Sequence, residues 1–229
     1  MPNARDSLES AASFIGAGLR PGRPDAEPPG ERANRAVAEE KRLAEWAEQN
    51  GKLSDSLPPD VKGGYEHTAA FDDETQRWIK STRPGRFGEI LVRGYALDPD
   101  TGKWRESPDK VGATASEYLE RISLANEVFH DDIRLERVVP ADGGLSMVTS
   151  QPHIAGEPAD PGMIEKFMAE NGFEKIDSGM FYSADRQLLV SDLFPKNVVI
   201  SKGDVLPIDP IIQRADAGFS AFLKKHSRV

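Results

Sequence analysis

The chain has 229 residues, with 29 Lys and Arg against 38 Asp and Glu, so its formal net charge is -9. This acidic balance argues against a general nucleic-acid binder and against binding to an anionic membrane. The absence of cysteine excludes disulfides, thiolate metal sites and a thiol nucleophile. No stretch is apolar enough for a signal peptide or a membrane span, so we expect a soluble cytoplasmic protein.

Residues 1–60 are predicted to form an N-terminal segment distinct from a domain at residues 61–229. A short apolar helical face near the N-terminus is followed by a Pro- and Gly-rich stretch at 20–30, which is typical of a flexible link. Residues 31–49 have a charged helical pattern with a thin apolar side, and Gly51 marks the C-terminal end of this predicted helix. This helix either packs on the main domain or serves as an arm for a partner or for self-association.

The domain begins with a predicted hairpin. Gly63 and Gly64 precede an apolar strand at 68–71, an acidic turn and a second strand at 77–80, which ends in Lys80. Backbone near glycine can approach phosphates closely, and a Lys on such a strand can reach the phosphates of a nucleotide. Ordinary surface hairpins have the same features, so the pattern alone leaves both interpretations open.

A Pro- and Gly-rich region and a helix come next. Residues 82–108 are predicted to form an extended loop or insertion that contains one strand at 90–96. A capping signal at Thr114 or Ser116 then begins a helix that continues to Phe129, with an apolar stripe along one side.

An acidic residue of this helix is a candidate partner for Lys80. Glu117 lies nearer the edge of the apolar stripe than the other acids do, so it is the first candidate to pair with Lys80, and Glu120 is the second. Solvation of the helix is the alternative explanation for both.

The remaining elements are short and alternate in type. Two strands joined by a Gly-rich turn are followed by Gln151, a helix, three short strands, a loop and a last hairpin. The predicted elements, apart from this last hairpin, are strands at 133–139 and 145–149, a helix at 163–170, and strands at 173–176, 180–183 and 187–190. The order predicts an α+β fold.

The stretch from Val190 to Asp209, VSDLFPKNVVISKGDVLPID, carries the clearest chemistry. Its β-branched run and Gly-centred turn predict a hairpin that brings Asn197 and Asp209 to one end, with Asp192 on the loop before it. In phosphoryl transfer, an Asp on such a loop orients the attacking hydroxyl, while an Asn and a second Asp hold Mg²⁺. A surface hairpin flanked by turn-forming Asp and Asn is the alternative.

Taken together, these segments resemble the kinase-like domain found in polyvalent proteins of phages and bacterial mobile elements. The resemblance covers residues 60–214 and is carried by GGYEHTAAFDDETQRWIKST, SEYLERISLANEVFHDDIRLERVV, LSMVTSQPHIAGEPA, VSDLFPKNVVI and LPID. More distantly, SDLFPKNVVISKGDVLPID is similar to the corresponding segment of aminoglycoside phosphotransferases. The resemblance implies a protein-kinase-like fold, with an antiparallel small-lobe sheet, one helix and a reduced C-terminal lobe.

The resemblance also implies a function and a set of roles. The function is ATP- and Mg²⁺-dependent transfer of a γ-phosphoryl group to a hydroxyl, with a Ser, Thr or Tyr of a protein as acceptor. The implied roles are base or hydroxyl positioner for Asp192, Mg²⁺ ligands for Asn197 and Asp209, phosphate binding for Lys80 with Glu117, and nucleotide binding for Gly63, Gly64 and Gln151, the last in the hinge.

Some positions depart from the protein-kinase pattern. Val190 and Ser191 stand where protein kinases have the His and Arg of H-R-D, and Pro210 follows Asp209 where they have Phe-Gly. These departures favour a second hypothesis, in which the domain is a catalytically inactive pseudokinase that binds a nucleotide or a partner.

Overall fold

The structure is a computed structural model that describes residues 4–17, 28–59, 62–64 and 66–226. Most of the predicted link at residues 20–30 therefore lies outside the described residues. In the described ranges the elements are, in chain order, α1 (Ala4–Gly16), α2 (Pro29–Gln49), β1 (Lys62–Gly63), β2 (His67–Asp72), β3 (Arg77–Thr82), β4 (Glu89–Leu97), β5 (Trp104–Gly112), α3 (Ala115–Phe129), β6 (Arg134–Ala141), β7 (Gly144–Pro152), β8 (Glu157–Pro158), α4 (Pro161–Glu170), β9 (Glu174–Asp177), β10 (Met180–Ser183), β11 (Leu188–Ser191), a 3-10 turn (Pro195–Asn197), β12 (Val198–Ser201), β13 (Asp204–Pro207), β14 (Ile211–Arg214) and α5 (Ala217–His226).

The chain divides into two compact units. The first contains α1, Glu27–Glu89 and Gly112–His153, and the second contains Ile90–Val111 and Ile154–Val229. Neither unit is one continuous segment, because the β4–β5 hairpin belongs to the second unit although it lies between β3 and α3 in the chain. The domain boundary predicted between residues 60 and 61 stays a prediction.

The first unit is built on a five-stranded antiparallel sheet in the order β1-β2-β3-β7-β6. Its two hairpins form where the sequence predicts them. At the β2–β3 turn, the Asp72 carboxylate accepts hydrogen bonds from the Glu74 N–H (3.0 Å) and the Thr75 hydroxyl (2.7 Å), which stabilises the reversal of the chain. At the β6–β7 turn, Gly143 has φ +100°, a conformation that favours glycine.

Three helices pack against this sheet. The helix predicted to begin at Thr114 or Ser116 is α3, and the structure places its N-cap at Thr114, with a capping box between Thr114 and Glu117. Helix α2 packs on the same core, as one of the two interpretations of residues 31–49 expects. The buried side chains of this core include Leu8, Ile15, Leu43, Trp46, Leu119, Leu135 and Met147. Burial of these apolar side chains is the main force that holds the helices on the sheet.

The second unit contains a four-stranded antiparallel sheet, β14-β11-β10-β9, and a three-stranded sheet, β13-β12-β8. Its core is apolar, with Leu91, Tyr182, Leu189, Phe219 and Leu223 among the buried residues. The short strands of the sequence prediction and the last hairpin are confirmed. Strand β14 and helix α5, which follow Asp209, were not predicted.

The region at residues 82–108 differs from the sequence prediction. The expected strand exists as β4, but the end of the expected loop, from Trp104 onward, belongs to its partner β5. The sequence of β5, WRESPDKVG, is charged and contains a proline, so it lacks the apolar alternation of a buried strand. The Gln213 side chain anchors the hairpin, since it accepts from the Leu91 N–H and donates to the Leu91 carbonyl, both at 2.9 Å.

The predicted α+β class with antiparallel sheets is confirmed, whereas the arrangement of a small and a large kinase lobe stays a prediction. In the described ranges, none of the helices combines the length and the apolar character that crossing a membrane would require.

Candidate active site

Asp192 lies on a loop that leaves a buried strand. All four residues of β11 are buried, and Asp192 follows with φ +60°. Few residues other than glycine adopt this left-handed conformation, although Asp tolerates it better than most. Neighbouring contacts fix the loop, because the N–H of the buried Leu193 donates to the Gly179 carbonyl (3.2 Å) and the Phe194 N–H donates to the Asp192 carbonyl (3.0 Å). Strained backbone of this kind is often found at functional sites.

Asn197 holds Asp192 directly. Its Nδ2 donates to the Asp192 carbonyl (2.8 Å) and to Asp192 Oδ2 (2.7 Å). The turn at Pro195–Asn197 brings the two residues together, with the Asn197 N–H donating to the Phe194 carbonyl at 2.8 Å. Among the described residues, none donates a hydrogen bond to Asn197 Oδ1. The sequence did not single out Lys196, whose Nζ lies 3.7 Å from Asp192 Oδ1.

Asp209 lies at the same end of the last hairpin as Asn197. Val198 pairs with Pro207, and the Ile208 N–H donates to the Asn197 carbonyl at 2.9 Å. In the four-stranded sheet of the second unit, Ser191 at the end of β11 pairs with Ile211 at the start of β14. The residue after β11 and the residues before β14 therefore lie at the same edge of this sheet. Asp192 and Asp209 both belong to that edge. The second unit therefore gathers Asp192, Asn197 and Asp209 at one edge.

The side-chain atoms of Asp192, Asn197 and Asp209 that could bind a metal ion are oxygens, which suits the hard ion Mg²⁺. Across the described ranges, no group of three or more His, Cys, Asp or Glu side chains could hold a metal ion by itself. Mg²⁺ is usually held by one or two carboxylates together with substrate phosphates and water, so these residues fit an ion shared with a nucleotide better than a structural metal site.

In the first unit, Lys80 lies on β3 opposite Ala69 and Thr149. Gln151 is buried on β7 opposite Trp78, two residues before the chain leaves the first unit. Because directly opposed residues share a face and faces alternate along a strand, Lys80 and Gln151 lie on the same face of the sheet.

Helix α3 covers the face of the sheet that carries Lys80. His67 opposes Thr82, so it shares that face, and its Nε2 lies 2.8 Å from the hydroxyl of Tyr118 on α3. Helix α3 and Lys80 therefore lie on the same side of the sheet.

Glu117, the first candidate for that pairing, contacts other groups. Its carboxylate accepts from Arg32 Nη1 (2.9 Å), Arg35 Nη2 (2.9 Å) and the Thr114 N–H (2.8 Å), and in the described part of the chain it contacts no lysine. Burial raises the pKa of Glu117, but the hydrogen bonds from Arg32, Thr114 and Arg35 outweigh burial and hold this pKa below its ordinary value of 4.5. Glu117 caps the start of α3 and binds it to α2.

Glu120, the second candidate, is half-buried on α3. The acid that pairs with Lys80 stays a prediction.

Of the two glycines predicted to approach phosphates, Gly63 is the last residue of β1 and Gly64 follows it. Gly63 pairs with Thr68, and the Gly64 N–H donates to the His67 carbonyl at 2.7 Å. Arg83 Nη2 donates to the Gly64 carbonyl at 3.0 Å. The Gly64 amide is thus used within the turn, and the role of both glycines in nucleotide binding stays a prediction.

Two contacts near this turn were missed by sequence reasoning. Arg121 donates to the Glu66 carboxylate, and Tyr118 binds His67. A signal existed, because Arg121 interrupts the otherwise apolar side of a predicted helix and is buried in the structure. Its partner could not be identified, since it lies 55 positions earlier in the chain.

Comparison with known families adds one finding. Residues 104–216 match the family of serine/threonine/tyrosine kinases found in polyvalent proteins. Just under half of the chain is therefore similar to this family, which supports the kinase-like domain that the sequence resemblance suggested. The matched part includes Asp192, Asn197 and Asp209 and begins after Lys80. No curated protein and no solved structure matches the chain.

Proposed function

We propose that the protein is an ATP- and Mg²⁺-dependent phosphotransferase that transfers the γ-phosphoryl group to a hydroxyl, with a Ser, Thr or Tyr of a protein as acceptor. The main support is the hydrogen-bonded pair of Asp192 and Asn197 at the edge that also carries Asp209. All three residues lie inside the region that matches the kinase family.

In this proposal Asp192 orients the acceptor. Asn197 engages Oδ2 of Asp192, and the side chain of Asp192 is 28% exposed, so the carboxylate can still receive a hydroxyl. Asp192 accepts the hydroxyl proton while the acceptor oxygen bonds to the γ-phosphorus and the bond to the departing ADP breaks. The hydrogen bond from Asn197 limits the rotation of the carboxylate, which keeps its proton-accepting oxygen directed at the hydroxyl.

The other residues bind and neutralise the nucleotide. Asn197, through Oδ1, and Asp209 would hold Mg²⁺, which when bound neutralises charge on the phosphates. Lys80 adds a positive charge on the face covered by α3. An acidic protein, with net charge -9, needs such local positive charge to bind a polyanion.

A second candidate function is nucleotide or partner binding without transfer. Two observations favour it: the Gly64 amide is already used in its own turn, and Val190 and Ser191, which replace the His and Arg of protein kinases, are buried. A pseudokinase of this kind would have the kinase-like fold but would not transfer a phosphoryl group.

Thermal unfolding with ATP tests the binding step. We expect ATP with Mg²⁺ to raise the melting temperature, because ligand at 100 times its Kd stabilises the folded state by about 2.7 kcal/mol. Unchanged melting temperatures with ATP, in the presence and absence of Mg²⁺, would contradict the phosphotransferase proposal.

Transfer of radiolabelled γ-phosphate to casein, or to the protein itself, separates the two candidates. Wild type should transfer label, and Asp192→Asn and Asp209→Asn should not. Asp185→Asn is the control, since Asp185 is exposed on a turn of the second unit and should keep transfer. Binding of ATP without transfer by wild type would favour the pseudokinase, and transfer that survives both substitutions would contradict the assigned roles.

A further inference from the structure

The turn that carries Gly64 is fastened to α3. We define the hairpin tip as Gly64, Glu66 and His67. Tyr118 and Arg121 lie three residues apart on α3, so they share one side of the helix, and both contact the tip. The Tyr118 hydroxyl lies 2.8 Å from His67 Nε2, and Arg121 Nη1 donates to the Glu66 carboxylate.

The ion pair between Arg121 and Glu66 is largely removed from water. Their side chains are 7% and 22% exposed. A charge-assisted hydrogen bond that is largely shielded from water strongly favours the geometry in which it is made. The tip is therefore held in one position relative to α3.

The backbone at Gly88 also shows how closely Glu66 and Arg121 are packed. This residue has φ +84°, and a Cβ on it would lie 1.8 Å from Glu66 Oε1 and 3.1 Å from Arg121 Nη1. A side chain at this position would displace the ion pair. The absence of a side chain at Gly88 leaves the space in which Glu66 and Arg121 meet.

Helix α3 is itself anchored at its start by α2. The nearly fully buried Glu39 accepts from the Ser116 N–H (2.8 Å) and from Arg35 Nη1 (2.6 Å), and Arg35 also binds Glu117 (2.9 Å). Glu39 thus caps α3 from another helix, because the first turn of a helix leaves N–H groups without intrahelical partners. Contacts run without interruption from α2 through α3 to the hairpin tip.

We propose that Arg121 and Tyr118 are positioning residues that hold the glycine-bearing hairpin tip in the conformation that binds the phosphates of ATP. The inference rests on the proposed function, because it assigns the tip to the nucleotide. Both residues act through Glu66 and His67 and do not touch the substrate. Their loss weakens ATP binding and spares the chemical step, which Asp192 performs.

Steady-state kinetics of Arg121→Met and Tyr118→Phe test this inference. We expect each to raise the KM for ATP by about 3- to 10-fold, the equivalent of one lost hydrogen bond, while kcat changes much less. Arg121→Lys keeps the positive charge beside Glu66 and should restore part of the affinity. A fall in kcat with unchanged KM in Arg121→Met would overturn the inference.

Arg77→Met is the matched control. Arg77 is as buried as Arg121, and its guanidinium binds Asp132 at 2.8 Å on the opposite face of the same sheet. Both Met variants should lower the melting temperature, but only Arg121→Met should raise the KM for ATP. An equal rise in both would show general loosening of the first unit and would overturn the assignment of Arg121.

Hydrogen exchange separates failure of this inference from failure of the proposed function. The Gly64 amide donates to the His67 carbonyl, so its exchange reports the tip without any catalysis. Even if wild type transfers no phosphate, Arg121→Met should accelerate Gly64 exchange and Arg77→Met should not. Unchanged exchange in Arg121→Met would overturn the positioning role, and accelerated exchange with an unchanged Kd for ATP would overturn the link to the nucleotide.

Discussion

Glu117 and Asp192 are both carboxylates with predicted catalytic roles, but their surroundings differ. Glu117 lies in the first unit, 11% exposed, and two arginines and a backbone N–H bind its oxygens. Asp192 lies in the second unit, 28% exposed, in a left-handed loop where one asparagine binds it and a lysine lies 3.7 Å away. One carboxylate is neutralised and fixed, whereas the other is held in place and remains accessible.

This difference shows how local surroundings assign a role to a residue type. Two arginines that bind the same carboxylate commit it to structure, because each would lose a charge-assisted hydrogen bond if that carboxylate were removed. A carboxylate in strained backbone with few charged neighbours contributes less to stability and keeps its capacity to accept a proton. Substitutions at the two sites should therefore separate activity from stability.

The largest expected effect is on activity at Asp192. Asp192→Asn should lower the rate of γ-phosphate transfer by about 10²- to 10⁴-fold, because the amide cannot accept the hydroxyl proton. The melting temperature should change little, since Asn also tolerates the left-handed conformation. Glu117→Gln is the comparison, and its transfer rate at a temperature well below its own unfolding should stay near that of wild type. Similar rate losses in both variants would contradict the claim that Asp192 acts in transfer and Glu117 acts in stability.

The next effect is on stability at Glu117. Glu117→Ala should lower the free energy of unfolding by about 3–5 kcal/mol, because Arg32 and Arg35 each lose a hydrogen-bonded ion pair with its carboxylate. Urea denaturation followed by circular dichroism measures the change. The exposed Glu127 on the same helix is the control, and its replacement by Ala should cost less than about 0.5 kcal/mol. Equal losses at both positions would contradict the structural role of Glu117.

A smaller effect is expected at Asn197. Asn197→Ala removes both hydrogen bonds to Asp192 and should lower the free energy of unfolding by about 1–3 kcal/mol. It should also raise the Mg²⁺ concentration needed for half-maximal transfer, since one proposed ligand is lost. An unchanged Mg²⁺ requirement would remove Asn197 from the proposed metal site.

The pH dependence of stability gives the smallest effect. The pKa of Glu117 is lowered in the folded state, so its contribution to stability is complete above its unfolded pKa, near 4.5, and is lost as the pH falls through the lower folded pKa. The free energy of unfolding should therefore fall below about pH 4.5 in wild type, and less steeply in Glu117→Gln. Identical slopes in the two proteins would contradict the lowered pKa.

Local signals predicted much of the fold correctly. The hairpins β2–β3, β6–β7 and β12–β13 have turn residues between apolar runs, and α3 has its capping box, so each is encoded within a short segment. The proximity of Asn197 and Asp209 followed from the length of one hairpin, and their order with Asp192 was visible in the sequence. These features depend on neighbours in the chain.

The features that sequence reasoning missed depend on distant residues. Glu117 was expected to pair with Lys80, but its actual partner Arg32 lies 85 positions away on a helix that the sequence prediction treated as a separate segment. Strand β5 is stabilised by pairing with β4 rather than by an apolar pattern of its own. Such long-range contacts leave no periodic signal, because only the folded chain brings the partners together.

The pairing of β3 with β7 has a consequence for how the protein is made. Lys80 and Thr149 are 69 positions apart, and the β4–β5 hairpin of the second unit is synthesised between them. As the chain emerges from the ribosome, β3 has an open edge until β7 is complete, and unpaired strand edges favour aggregation. The β4–β5 hairpin, in turn, must wait for Gln213 to anchor it. Each unit thus completes its folding only after part of the other has been translated.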